Sequence, residues 1–244
     1  MLAAVIDSGQ KIIANGSILH LDAAQKRSYS GSGTTWNDIS ISTSSFTLVN
    51  NPTFSTNNGG YLTFSNTLKS HAIMASGFSN YQNFTSGITI ESWTYRTEST
   101  VNHRILDFSS GPDVNNVMLG HINSGLGTSN SCFFAISNQG GSFQYVAGTS
   151  NAYPINGWQH WVGVANGTNF ILYKNGVQNA TSVNSTLPNN AARTTNYIAA
   201  SPFGANPPNE FFTGHIPIVR MYSRTLSSTE ITQNFNAQKS RFGL

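Results

Sequence analysis

Six histidines and a lone cysteine are the residue types best suited to nucleophilic or metal chemistry, and their spacing does not favour either. Cys132 stands in the apolar run Cys132-Phe133-Phe134-Ala135-Ile136, which suits a small buried strand residue better than a thiolate with a histidine base. No two histidines keep a ligand spacing such as His-x-x-x-His. His20 and Asp22 share one face of a strand and read as a surface pair or a bond within a sheet. Asp107, Asp113, Asn115 and Asn116 gather between Leu106 and Val117 and supply the oxygen donors that calcium prefers. The same residue types are turn formers, because their side chains bond nearby backbone amides, so both readings stay open. Aromatic rings offer a third chemistry. A sugar presents an apolar face that stacks on a ring, while hydroxyls and amides bond its rim. Tyr81, Tyr153 and Phe203 fall in expected loops and are candidates for such stacking, or for packing against the end of the fold. Trp93, Trp158 and Trp161 fall in expected strands and read as core.

Positioning any of these groups falls to an unusual composition. The chain has 244 residues, of which only 9% are charged, against about 25% in an ordinary soluble domain. Asn, Ser and Thr fill 85 positions and carry the solubility instead. That excludes coiled coils and long exposed helices, which need Glu, Lys and Ala, and it points to an all-β chain. The formal charge is +3, but the twelve cations are scattered, and nucleic acid needs a concentrated basic face. No window approaches the roughly 20 apolar residues that span a bilayer, so membrane insertion is not expected. The start lacks a basic stretch and meets Asp7 early, a poor signal peptide. With one cysteine, no intrachain disulfide is expected.

Short apolar runs separated by Gly, Asn, Ser and Pro give strands. They are expected at Ser17–Leu21, Tyr61–Phe64, Ile88–Tyr95, Arg104–Phe108, Val117–His121, Cys132–Ser137, Phe143–Ala147, Gln159–Ala165, Asn169–Lys174, Val177–Ser182, Thr195–Ala200 and His215–Ser223. Asn166-Gly167 and Asn175-Gly176 each suit a type I′ hairpin turn, which makes the three strands they join an antiparallel meander. Ser28–Thr35, Ser40–Ser45 and Asn50–Gly60 read as surface loops. One helix is expected near the C-terminus. Ser227 and Glu230 form a capping box, and Ile231 and Phe235 follow on one face.

A series of short motifs then stands out in order. Leu19-His20-Leu21-Asp22-Ala23, Gly33-Thr34-Thr35-Trp36-Asn37-Asp38-Ile39-Ser40 and Gly59-Gly60-Tyr61-Leu62-Thr63-Phe64 open it. Ile88-Thr89-Ile90-Glu91-Ser92-Trp93, Trp158-Gln159-His160-Trp161-Val162 and Leu172-Tyr173-Lys174-Asn175-Gly176 continue it, and Gly214-His215-Ile216 with Val219-Arg220-Met221-Tyr222-Ser223-Arg224 closes it. The series resembles the concanavalin A-like, laminin G-like jelly-roll family from about Ile18 onward. The opening and the last nine residues are most similar to the branch common in tailed bacteriophage structural proteins.

That resemblance implies a two-sheet antiparallel jelly-roll sandwich with one short C-terminal helix, spanning residues 18–244. Residues 1–17 form an N-terminal arm or an edge strand. It also implies a non-enzymatic virion-surface protein, capsid decoration or tail fibre, with other virion proteins and its own copies as partners and glycan as a further ligand. The alternative is a carbohydrate-binding lectin module outside any virion. Family calcium ligands are replaced here by Ser65–His71, Asn166 and Pro217-Ile218, so folding without calcium is expected. Glycosidases of this fold use a Glu-x-Asp-x-x-Glu strand, and no Glu-x-Asp occurs; Glu91 and Glu98, seven apart, cannot replace it.

Overall fold

The computed structural model describes residues 11–42, 44–74, 83–98, 102–139, 143–203, 208 and 210–244. Among the described residues sixteen strands form two antiparallel sheets. In chain order they are β1 (Ser17–Asp22), β2 (Thr35–Asn37), β3 (Ser45–Val49), β4 (Thr53–Ser55), β5 (Tyr61–Phe64), β6 (His71–Met74), β7 (Ile88–Arg96) and β8 (His103–Ser109). There follow β9 (Asn116–Gly125), β10 (Thr128–Ser137), β11 (Gln144–Ala147), β12 (Trp158–Ala165), β13 (Asn169–Lys174), β14 (Val177–Val183), β15 (Thr195–Ile198) and β16 (Gly214–Tyr222). The first sheet runs β14-β13-β12-β7-β16-β5-β4, with β1 also paired to β16; the second runs β11-β10-β9-β8-β15-β6-β3-β2. This is the expected jelly-roll sandwich.

The meander β12-β13-β14 forms as expected, but its two turns differ. Asn175 and Gly176 both have positive φ, 50° and 78°, as a type I′ turn requires. In the other, Asn166 N bonds Asn169 O, so Gly167 (φ 83°) and Thr168 are the central residues, and with positive φ at Gly167 alone the turn is not type I′. Asn166 keeps a different role, its Oδ1 accepting from the Thr168 and Asn169 amides. One loop reading fails, at Thr53–Ser55 within Asn50–Gly60, and the loops expected at Ser28–Thr35 and Ser40–Ser45 give way to strands at their last residues. Thr35–Asn37, Ser45–Val49 and Thr53–Ser55 are short strands, and His71–Met74 adds a fourth that the sequence does not announce.

The inward faces of both sheets meet in one apolar core that includes Leu19, Leu21, Phe46, Ile90, Phe134, Trp161, Leu172 and Val219. Fully burying each large side chain is worth about 1.5–3 kcal/mol relative to exposure. The two sheets approach closely at Gly163, where a Cβ would lie 2.5 Å from the Phe134 ring. The outward face of the first sheet is covered by α1 (Ser228–Asn236) and by a 3-10 turn over Lys239–Phe242. The capping box is present, with Ser227 Oγ accepting from Glu230 N and Glu230 Oε2 accepting from Ser227 N. Beneath the helix, Ile231 is buried with Val162, Val164, Tyr173 and Tyr222. A buried polar group fastens it: Arg220 donates to Glu91, and Asn234 Nδ2 donates to Glu91 Oε2 at 2.8 Å. Asn234 Oδ1 in turn accepts from the Ile13 amide at 2.9 Å, which lays the segment before β1 beside α1. Among the described residues no helix is long and apolar enough to cross a membrane.

Candidate functional site

On the outward face of the first sheet, four neighbouring strands bring an aromatic row together. His215 of β16 lies directly opposite Thr63 of β5 on one side and Tyr95 of β7 on the other, and Tyr95 lies opposite Trp158 of β12. Tyr61, two residues before Thr63, shares its face. The alternate residues Leu62 and Ile216 point into the core. Tyr61 and Tyr95 stack on the His215 ring, with centroids at 4.4 and 5.2 Å and planes within 28° and 26°. The Trp158 indole is inclined to all three, by 59° to Tyr61, 63° to Tyr95 and 42° to His215, so it lies across the stack. Phe242 of the C-terminal 3-10 turn supports it at 4.8 Å and stacks on buried Trp93 at 4.2 Å.

All four rings of the row are half-buried, each leaving part of its surface in solvent. Thr63 Oγ1 lies 3.0 Å from His215 Nδ1. Burial holds the His215 imidazole below its ordinary range, so it is neutral at pH 7. Thr97, bonded through its amide to Thr213 O, and Asn156, bonded through its amide to Arg96 O, place hydroxyl and amide groups at the same end of these strands. The row is an apolar surface with polar tips and no carboxylate. It can stack a sugar face and bond hydroxyls, and it lacks the carboxylate pair that glycosidases use. Trp158, expected in the core, is therefore corrected to a surface aromatic; Trp93 and Trp161 are buried as expected.

The sequence-predicted aromatics do not assemble. Tyr81 lies outside the described residues. Tyr153 is fully buried, its hydroxyl 2.6 Å from Thr94 Oγ1 and its carbonyl bonded by Arg96, so the ring has no free face for a sugar. Phe203 is half-buried on the other sheet, where it packs edge-on against Phe143 at 5.4 Å.

The oxygen cluster is also dispersed. Asp107 is fully buried and accepts from Asn116 Nδ2 at 3.0 Å and from Ser201 Oγ at 2.5 Å. Asn115 turns its amide to Ser110 and Asn189 instead, and Asp113 sits in the loop between with φ 58°. Among the described residues no group of three His, Cys, Asp or Glu is gathered for a metal. Cys132 is buried in the core and burial pushes its thiol well up, which keeps it protonated and inert. Asp22 accepts from Arg241 at 2.9 Å rather than pairing with His20.

Burial pushes the Asp107 carboxyl up to about 6, against the opposing bonds from Ser201 and Asn116. A raised carboxyl favours the protonated fold, so this group costs stability as pH rises from about 4 through 6. Two units correspond to about 3 kcal/mol. Asp107→Asn is expected to gain on the wild type by about that much between pH 4 and pH 7, read from thermal melts of both proteins. Parallel pH profiles would show that Asp107 does not titrate in this range.

Residues 56–232 match the family model described as the Concanavalin A-like lectin/glucanases superfamily, laminin G type. No curated protein sequence matches the chain. Solved structures match over nearly its whole length. The binding domain of Botulinum neurotoxin DC in complex with rat synaptotagmin II is 17% identical with a TM-score of 0.69, covering 91% of this chain and 52% of that one. A botulinum neurotoxin type C structure, whose cell entry depends on interaction with two ganglioside molecules, is 16% identical with a TM-score of 0.67, over 91% and 51%. Domain 4 of AbnA, a GH43 extracellular arabinanase from Geobacillus stearothermophilus, in complex with arabinotriose, is 12% identical with a TM-score of 0.65, over 91% and 99%. The chain thus spans about half the length of the toxin domains and nearly all of the arabinanase domain. At these identities the likeness is one of fold. The family match, together with the two-sheet jelly roll, places the chain in the concanavalin A-like lectin/glucanase superfamily.

Proposed function

We propose that the protein is a non-catalytic glycan-binding module whose site is the row Tyr61, His215, Tyr95 and Trp158. The observation that carries this reading is Trp158 itself, a half-buried indole laid across three supporting rings. A surface built this way is rigid before it binds, so little ordering entropy opposes stacking. Structures of the same fold were determined with arabinotriose and with SialylT, and these ligands belong to those proteins. The row runs across four strands of a sheet face with each ring partly in solvent, which suits an internal stretch of a chain over a chain end. Recognition at this row is metal-free, since its rings bring no carboxylate to hold calcium and a single imidazole is no metal site.

The lectin reading stands above a place on a bacteriophage virion. The virion reading, with capsid or tail proteins as partners, rests on the resemblance of the opening and closing segments alone, and none of the similar structures named above is a virion protein. The test is a glycan array followed by titration calorimetry with soluble polysaccharides, with and without a chelator. Saturable binding that free oligosaccharide competes and the chelator leaves unchanged is expected. Absence of any competable binding would overturn the lectin reading, and loss of binding in chelator would overturn its metal-free form.

A further inference from the structure

We propose that the aromatic row takes uncharged glycans and turns away those that bear carboxylates, a narrowing that rests on the glycan reading. A sialic or uronic acid is ordinarily held by a cation that meets its carboxylate, a forked arginine or a lysine. The four strands that carry the row, β5, β16, β7 and β12, hold three charged side chains, and all three are fully buried. Glu91 and Arg220 are spent on one another beneath α1. Arg96 crosses to the second sheet, where it meets His121 and Asn130.

The cations around the row are also engaged or turned elsewhere. Arg241, beside Tyr61, donates from each of its three nitrogens: to Asp22 Oδ1 at 2.9 Å and to the carbonyls of Asn58 and Gly60. Its charge is balanced and its fork is closed. Lys239 lies over the Phe235 ring, 5.8 Å from its centre. Lys69 lies beside the second sheet, where its carbonyl accepts from Asn50 Nδ2. The chain leaves β7 through Glu98, an acid that repels a carboxylate.

What the row does present favours a neutral partner. Ring faces are electronegative, so they attract the C–H face of a sugar and repel an anion. A carboxylate pressed against them would lose water without gaining a partner. Hydroxyls need less. Thr53 opposite Thr63, and Ser55 opposite Tyr61, extend the face with hydroxyl groups, and the His215 imidazole beside Thr63 is neutral at pH 7.

The test is a glycan array carrying neutral oligosaccharides beside sialylated and uronate-bearing ones. The full chain, Trp158→Ala and Tyr61→Ala are each read at about 20 and about 500 mM NaCl, where surface charges go from lightly to strongly screened. Signal lost in either variant, with its fold confirmed by thermal melting, belongs to the row. Such signal is expected on neutral glycans, with less than about a twofold change between the two salt concentrations, and not on acidic ones. Row-dependent signal on acidic glycans that equals or exceeds that on neutral ones would overturn the charge class and leave the lectin reading intact. No row-dependent signal on any glycan would overturn the lectin reading itself, and the charge class with it.

Discussion

Glu91→Ala is expected to cost about 3–5 kcal/mol of folding stability, the range for breaking a buried ion pair from one side. For a chain of this length that lowers Tm by roughly 10 °C or more. The size follows from what is left behind. Glu91 and Arg220 are both fully buried, and removing the carboxylate strands a guanidinium with Gln238 as its remaining bonded partner. Asn234 loses an acceptor as well, which loosens α1 from the sheet. Replacing both members, Glu91→Leu with Arg220→Met, is expected to recover most of the loss, because an apolar pair needs no desolvation. Burial alone would push the Glu91 carboxyl up; the Arg220 guanidinium, then His160, overcome it and hold it at about 2. A depressed carboxyl contributes stability that is present above the unfolded value and lost as pH falls through the folded one. The Glu91 contribution is therefore intact at pH 5 and disappears between about 4.5 and 2. Calorimetric unfolding of the single and double variants checks this, and a single-variant loss under about 1 kcal/mol would refute a structural role for the pair.

Trp158→Ala is expected to weaken glycan binding at least 30-fold, about 2 kcal/mol, while the protein stays folded. The indole is inclined to the other three rings and is the largest ring of the row, so its removal takes away the largest part of the stacking surface. Its share in stability is smaller, about 1–2 kcal/mol, because the ring is half-exposed and rests on Phe242 from one side. Trp158→Phe keeps a ring and is expected to retain part of the affinity. Trp93→Ala makes the contrast: that ring is fully buried between His160, Phe235 and Phe242, and its loss is expected to cost about 3–5 kcal/mol of stability. Titration calorimetry beside thermal melts separates the two effects. If Trp158→Ala binds as the wild type does, the glycan sits elsewhere on the molecule.

What the sequence by itself determines here is local and periodic. Asn175-Gly176 states a type I′ hairpin because both residues tolerate positive φ at low cost. Ser227 and Glu230 state a helix start because each satisfies the other's unpaired amide. Alternating apolar residues state most of the long strands. β2, β4 and β6 are three or four residues long and carry too little pattern of their own to register, and pairing partners far along the chain create them. Alternation also says that Trp158, His160 and Val162 share a face without saying which face is the core. That is decided by α1 and the C-terminal 3-10 turn, which bury His160 and Val162 but reach Trp158 through Phe242, leaving the indole half-buried. Tyr153 is the converse case. Its loop position suggests a surface ring, and Arg96, bonding its carbonyl, with Thr94 beside its hydroxyl, draws it inside. Burial is a property of what the rest of the chain places overhead, and no window of sequence around a residue contains that.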